Sequence, residues 1–276
     1  MPTMADTSLH LPRAVMGDDE REAFDTLSRV HGPGELRATV LALLLTPGSQ
    51  RERRAWQDET RGLSTAKALR ETTKHLSPAS RLPWLERLLQ RLASGPLGDR
   101  QSLVEAARRV MAADGQIRPI DRLHWLALRQ VLGEPMPRGA GPAAHNDMAD
   151  LSLHTLREVG RVTAFLSRLV PANDPATGQG WYLAVMTPWI SAHELPPCVP
   201  PDADGFVNAL SEVQAVPWML RPAIVRAWID QALALSPSRR LEPDAADALR
   251  LTGSLLDCPM PPELARHFVE PPDEPL

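Results

Sequence analysis

Residues 102–137, SLVEAARRVMAADGQIRPIDRLHWLALRQVLGEPMP, return 124 positions later without a gap as residues 226–261, RAWIDQALALSPSRRLEPDAADALRLTGSLLDCPMP. Pro119 falls on Pro243 and Leu132 on Leu256, and the closing Pro135, Met136 and Pro137 fall on Pro259, Met260 and Pro261. Ile117 meets Leu241, Val131 meets Leu255 and Met111 meets Leu235. Each copy reads as a helix, a short connection, a proline in the first turn of a second helix, and a proline stop. Proline suits a first turn because its missing N–H has no intrahelical acceptor to serve there. The repeating unit is therefore an α-hairpin, expected over 103–132 and again, in degenerate form, over 227–256.

Working outward, the same punctuation divides the rest of the chain. Acids at Asp18, Asp19 and Glu20 open a helix carrying Phe24, Leu27 and Val30, which stops at the His31–Gly34 run. Pro33 opens a second helix whose apolar end, Val40 to Leu45, is expected to be buried all round. Two more polar helices flank Gly62, and Pro83 reads as the first turn of the helix that leads into the first hairpin. The Gly/Pro/Ala-rich run before Asp147 offers neither helical nor strand period. It divides a helical subdomain at 11–138 from a second at 148–268, with 139–147 as the linker. Beyond it come one long amphipathic helix over 148–170, a helix over 176–190 and a proline-rich loop over 193–201. Residues 1–10 and the tail from Val269 are expected to be unstructured. The fold class expected is all-α, a multi-helix array.

Composition excludes several functions. A net charge of −4 with no cluster of Lys and Arg leaves nothing to attract phosphates, so nucleic acid is not an expected partner. The one basic run, Arg51 to Arg54, is broken by Glu52 and reads as a solvated helix face. The longest apolar run is too short to cross a bilayer, and no secretory leader pattern opens the chain. Two cysteines, Cys198 and Cys258, fit a reducing compartment, and a cytoplasmic location is expected.

No catalytic constellation emerges. His193-Glu194 begins like a zinc-peptidase HExxH, but Pro196 and Pro197 follow and the second histidine is missing. Asp202-Ala203-Asp204-Gly205 reads as a helix N-cap rather than a calcium loop. The most specific local signal is the first hairpin's turn. There Asp114 accepts from backbone amides, Gly115 takes a left-handed conformation, Ile117 plugs the core, and Asp121 lies in the next helix's first turn. Asp114 and Asp121 are the candidates for a cation, with capping as their alternative role; Ser238, Arg239 and Ala245 stand in their places in the second copy. The seven tryptophans read as core, those beside proline being the candidates for rimming a groove. For an interaction surface the segment of choice is Trp181 to Trp189 with His193, Pro196 and Pro197 beside it, because a proline-rich loop loses little entropy on docking.

The ADGxI turn with an acid four residues on resembles the TerB-like helical module of tellurite-resistance proteins, with Asp121 in place of a glutamate. The order of segments is similar to the cytoplasmic C-terminal region of HtpX-like bacterial membrane zinc metallopeptidases. That likeness rests on residues 36–45, the Arg81-Leu82-Pro83-Trp84-Leu85 run, residues 103–132, and the ending Leu255-Leu256-Asp257-Cys258-Pro259-Met260-Pro261-Pro262, which holds an L-D-C-P-x-P-P string. It covers residues 11–267 and leaves out the family's HExxH protease domain and membrane spans. The resemblance implies a non-catalytic, cofactor-free helical interaction or regulatory module with two TerB-like hairpins, whose partner is a protein such as a membrane metallopeptidase or one of its domains. The alternative it implies is a divalent-cation-responsive stress protein of TerB type.

Overall fold

A computed structural model describes residues 16–133, 147–171 and 174–272; the expectations for 1–10, for most of the linker and for the last four residues lie outside these. Among the described residues the chain is all-α, with thirteen α-helices and no strand. The first seven are α1 (Asp18–Ser28), α2 (Pro33–Leu43), α3 (Gln50–Glu59), α4 (Ala66–Lys74), α5 (Pro78–Ala93), α6 (Leu97–Met111) and α7 (Pro119–Leu132). After a 3-10 turn at Met148–Asp150 come α8 (Leu153–Leu166), α9 (Pro175–Met186), α10 (Ala203–Ala215), α11 (Arg221–Leu235), α12 (Pro243–Leu255) and the short α13 (Pro262–Ala265).

The recurrence seen in sequence over one hairpin extends, in structure, to the whole half. Moved by 124 positions, α6 lands on α11 end for end, and α7 lands on α12 with a one-residue difference at its close. The same shift lays α2 on α8, α3 on α9 and α5 on α10 to within a few residues. Packing follows the same plan in part: α2 touches α3 and α5 as α8 touches α9 and α10, and α3 touches α6 as α9 touches α11, whereas the pairing of α5 with α7 has no counterpart of like extent between α10 and α12. α4 has no helical counterpart, since residues 190–198 form the proline-rich loop instead. The hairpin turns match in backbone too, with Gly115 at φ 82° and Arg239 at φ 51°. An arginine in that left-handed region carries a strain that glycine avoids.

Each half is built around one helix that is apolar on nearly every side. In the first half it is α2, whose Val40, Leu41 and Ala42 are sealed from solvent, so the apolar run does predict burial. In the second half it is α8, where Gly160 allows a close approach: a Cβ there would meet Pro196 Cγ at 3.1 Å and the Tyr182 hydroxyl at 3.3 Å. Large rings fill the space around them. Phe24 meets Trp84 edge-on at 5.2 Å, Phe165 stacks on Phe206 at 3.9 Å, and Trp228 Nε1 donates to Thr163 Oγ1 at 2.9 Å. The expected long helix over 148–170 is shorter, because Ser152 caps α8 by accepting from the Thr155 amide.

Pro83 lies well inside α5, not in its first turn as the sequence suggested. A proline there cannot donate to the carbonyl four residues back, that of Ala79. The Val269 amide donates to that same carbonyl at 3.1 Å, so the chain's far end fills the gap the proline leaves. The tail expected to fray from Val269 is therefore docked as far as Glu270, with Phe268 buried.

The two halves meet where α7 packs on α12. These helices run side by side in the same direction. At their starts, Arg118 lies within electrostatic reach of Asp244; near their ends, Gln130 Nε2 reaches the Ser254 carbonyl at 3.4 Å.

Candidate functional site

A groove opens along this seam. Leu82, Leu85 and Leu89 of α5, Ala127 and Val131 of α7, and Leu249 of α12 make its apolar sides, and it has a volume of about 230 Å³. Cys258, Pro259, Met260 and Pro261 form one wall, and Glu86, Gln90, Gln130 and Arg250 supply its polar edge. Cofactor and drug-sized pockets run from roughly 300 to 1,000 Å³, so this space suits one or two anchoring side chains.

The wall is shaped by the end of α12. Asp257 takes a left-handed conformation at φ 53°, the Cys258 amide donates to the Gly253 carbonyl at 2.9 Å, and the Asp257 amide donates to the Ser254 carbonyl at 3.0 Å. These two bonds make a Schellman turn, and Pro259 stops the helix behind it. Arg221 at the start of α11 braces the turn, 3.0 Å from the Leu256 carbonyl and 3.7 Å from the Asp257 carboxylate. In the first half Arg100 does the same for the Leu132 carbonyl at 3.1 Å. Burial pushes the Cys258 thiol up to about 11, so it stands in the wall as a neutral group.

Charge along the seam centres on Arg250. Its side chain is only 9% exposed and pairs with Glu86 of α5 at 2.6 Å and with Glu270 of the tail at 2.6 Å, while its guanidinium lies 4.5 Å from the Phe268 ring centroid. One residue thus ties α12 to the first half and pins the tail over both. Burial also raises the Glu86 carboxyl, against the pull of Arg250. One turn back, Asp247 is pushed up to about 7, first by burial and then by Asp244 and Glu86, with Arg250 and Arg81 opposing. His124 on α7 is pushed down to about 4 by burial, with Arg118 and Arg81 adding to it and Asp121 opposing. Shifted groups of this kind gather where a fold puts chemistry or holds two parts together.

The residues singled out from the sequence are not brought together here. Asp114 Oδ1 accepts the Gln116 amide at 2.9 Å, and Asp121 is 2% exposed with its oxygens on the Arg118 amide and guanidinium at 2.6 to 3.1 Å. Both do the work of caps, and no group of three metal-ligating side chains forms among the described residues. Ile117, expected to plug the core, is 68% exposed, because the turn carries it outward; its counterpart Leu241 does pack against the core. Trp181 is fully buried and donates to the Trp228 carbonyl at 3.3 Å, so it is a core residue and not a docking surface. Trp189 is half-buried against the core, and Pro196 is held by the Tyr182 hydroxyl, which donates to its carbonyl at 2.6 Å; His193 and Pro197 are exposed. The tryptophan that does face solvent is Trp218, 74% exposed beside Met219 in the turn before Arg221. Glu86 and Arg250 escaped sequence reading, although a signal existed: each is a charge set into an apolar stretch, Glu86 with Arg87 within LPWLERLL and Arg250 alone within ALRL.

The frame is thus an all-α chain built twice on one plan, with its groove at the join. No family model, no curated protein and no solved structure matches it.

Proposed function

We propose that this chain is a non-catalytic helical interaction module that receives a protein segment in the seam groove, and that its partner is a membrane metallopeptidase or one of its domains, met on the cytoplasmic side. One observation carries this reading: the string Leu256 to Pro262, on which the resemblance to the metallopeptidase C-terminal regions is most specific, supplies the groove's wall through Cys258, Pro259, Met260 and Pro261. Met260, exposed in that wall, offers apolar contact at the rim. Large flexible or aromatic side chains at a rim, around a pocket for an anchor, are the usual anatomy of a docking surface. For a cation-responsive role the two carboxylates offer less, since those of Asp121 are already spent on Arg118.

Photo-crosslinking tests the proposal. A benzophenone placed at Met260 should trap one dominant protein, a membrane metallopeptidase, and the same group at the exposed Lys67 of α4 should not. Equal and diffuse trapping from both positions, or trapping of nucleic acid alone, would end it.

A further inference from the structure

We infer that the segment taken by the groove is amphipathic and cationic, an apolar anchor the size of leucine with a lysine or arginine beside it, and that Glu86 receives the cation. This rests on the docking reading above and specifies the partner's chemistry.

The groove's edge leaves one acceptor unspent. Glu86 Oε2 accepts both of the bonds from Arg250, at 2.9 and 2.6 Å, while Glu86 Oε1 takes no hydrogen bond among the described residues. The Glu86 side chain lines the groove and is 24% exposed, so its carboxylate is partly shielded from water. Arg250, in contrast, has Nε, Nη1 and Nη2 all engaged by Glu86 and Glu270, and Phe268 covers its face. Two carboxylates on one guanidinium leave a unit of negative charge at the mouth. The next cation, Arg81, spends its donors on the carbonyls of Thr73 and Leu43. An anionic ligand would meet Arg250 and Arg81 with their donors already engaged, and a purely apolar one would strip water from Glu86 without replacing it, a cost its burial already raises. A lysine or arginine replaces that water with a charge-assisted bond while its stem lies along Leu85 and Leu89. The volume of the groove, about 230 Å³, then holds the anchor.

The test uses the whole chain and three fluorescein-labelled helical peptides that share a leucine stripe and differ in its flank, which is lysine, glutamine or glutamate. Fluorescence anisotropy should show the lysine peptide binding about tenfold or more tighter than the glutamate one. Glu86→Gln should remove most of that gap and leave the glutamine peptide's affinity unchanged, whereas Glu71→Gln on α4 should alter neither. Ala127→Trp, which fills the groove, should abolish all specific binding; Met260→Arg, on the exposed wall, serves the same purpose should the first variant melt early. Lysine and glutamine peptides binding alike, with Glu86→Gln silent and Ala127→Trp still blocking both, would overturn the charge inference and leave the docking reading standing. Binding that neither Ala127→Trp nor Met260→Arg disturbs would overturn both.

Discussion

Gln130 and Ser254 occupy the same position in the two halves of the chain, and the side chain of the first donates to the carbonyl of the second at 3.4 Å. Corresponding residues meet there because α7 and α12 lie parallel at the join. The bond itself is long and exposed and contributes little, but it marks a seam whose stability comes from the apolar faces around it.

If the seam joins the halves into one folding unit, matched substitutions on either side should act on one transition. Leu132 and Leu256 are both sealed from solvent at the ends of the paired helices. Leu132→Ala and Leu256→Ala are each expected to cost about 2 to 5 kcal/mol. Calorimetry should show a single endotherm lowered by either change. Two endotherms, of which each variant lowers only one, would mean that the halves unfold independently.

Removing the cation of the clamp should be more damaging than removing its reach alone. Arg250→Ala leaves the partly buried Glu86 without its counter-charge and is expected to destabilise by about 2 to 4 kcal/mol in urea unfolding, less than the full penalty of a wholly buried pair. Replacing the pair together, Glu86→Gln with Arg250→Met, should recover most of the loss. A double variant no more stable than Arg250→Ala would show that packing of the arginine stem, not charge, is what matters.

The two shifted groups at the seam should pull stability in opposite directions as pH changes. Asp247, held up to about 7, keeps its proton in the folded chain while the unfolded chain gives it up near 4, so its contribution falls as pH rises from about 4 to 7 and is flat above. His124, pushed down to about 4, stays neutral when the unfolded chain takes a proton near 6.5, so its contribution falls as pH drops from about 6.5 to 4. Asp247→Asn should therefore stabilise the chain by about 1 to 3 kcal/mol at pH 8 and by nothing near pH 4. His124→Gln should lessen the loss on acidification. Denaturant midpoints for both variants across this range check the signs, and a constant offset for Asp247→Asn would show an ordinary carboxyl.

Sequence reading went furthest where proline and glycine punctuate. Pro119 and Pro243 placed two helix starts to the residue, Gly115 announced the left-handed turn, and Asp202 was rightly read as a cap. It failed where the question was which way a side chain faces. Ile117 and Leu241 stand in equivalent turns, yet one points to solvent and the other packs inward, a difference set by what surrounds the turn. Trp181 beside a proline loop looked like a rim residue, but α11 covers it. The groove was invisible for the same reason: it is made by α5, α7 and α12 together, and only its wall, the Leu256 to Pro262 string, stood out as letters. The wider repeat was hidden because packing α8 in the place of α2 asks for apolar residues on the right faces and not for the same residues.

The proline in α5 gives a further test. Pro83→Ala restores an N–H beneath the Ala79 carbonyl and relieves a helix-interior proline, which elsewhere costs about 3 kcal/mol. The helix should gain, and the Val269 amide, now competing for its acceptor, should exchange with deuterium faster. Unchanged exchange at Val269 would show that the carbonyl serves both donors.

That arrangement also imposes an order on assembly. Ala79 leaves the ribosome long before Val269 is made, so α5 must wait, with a carbonyl facing no amide, until the far end of the second half arrives to meet it. Until then the nascent first half carries a helix with one carbonyl unpaired and the apolar faces of α5 and α7 uncovered, the kind of surface that chaperones and proteases act on. A chain interrupted before Phe268 never leaves that condition. A single proline in α5 thus makes one helix of the first half depend on a residue that is synthesised 190 positions later than its acceptor.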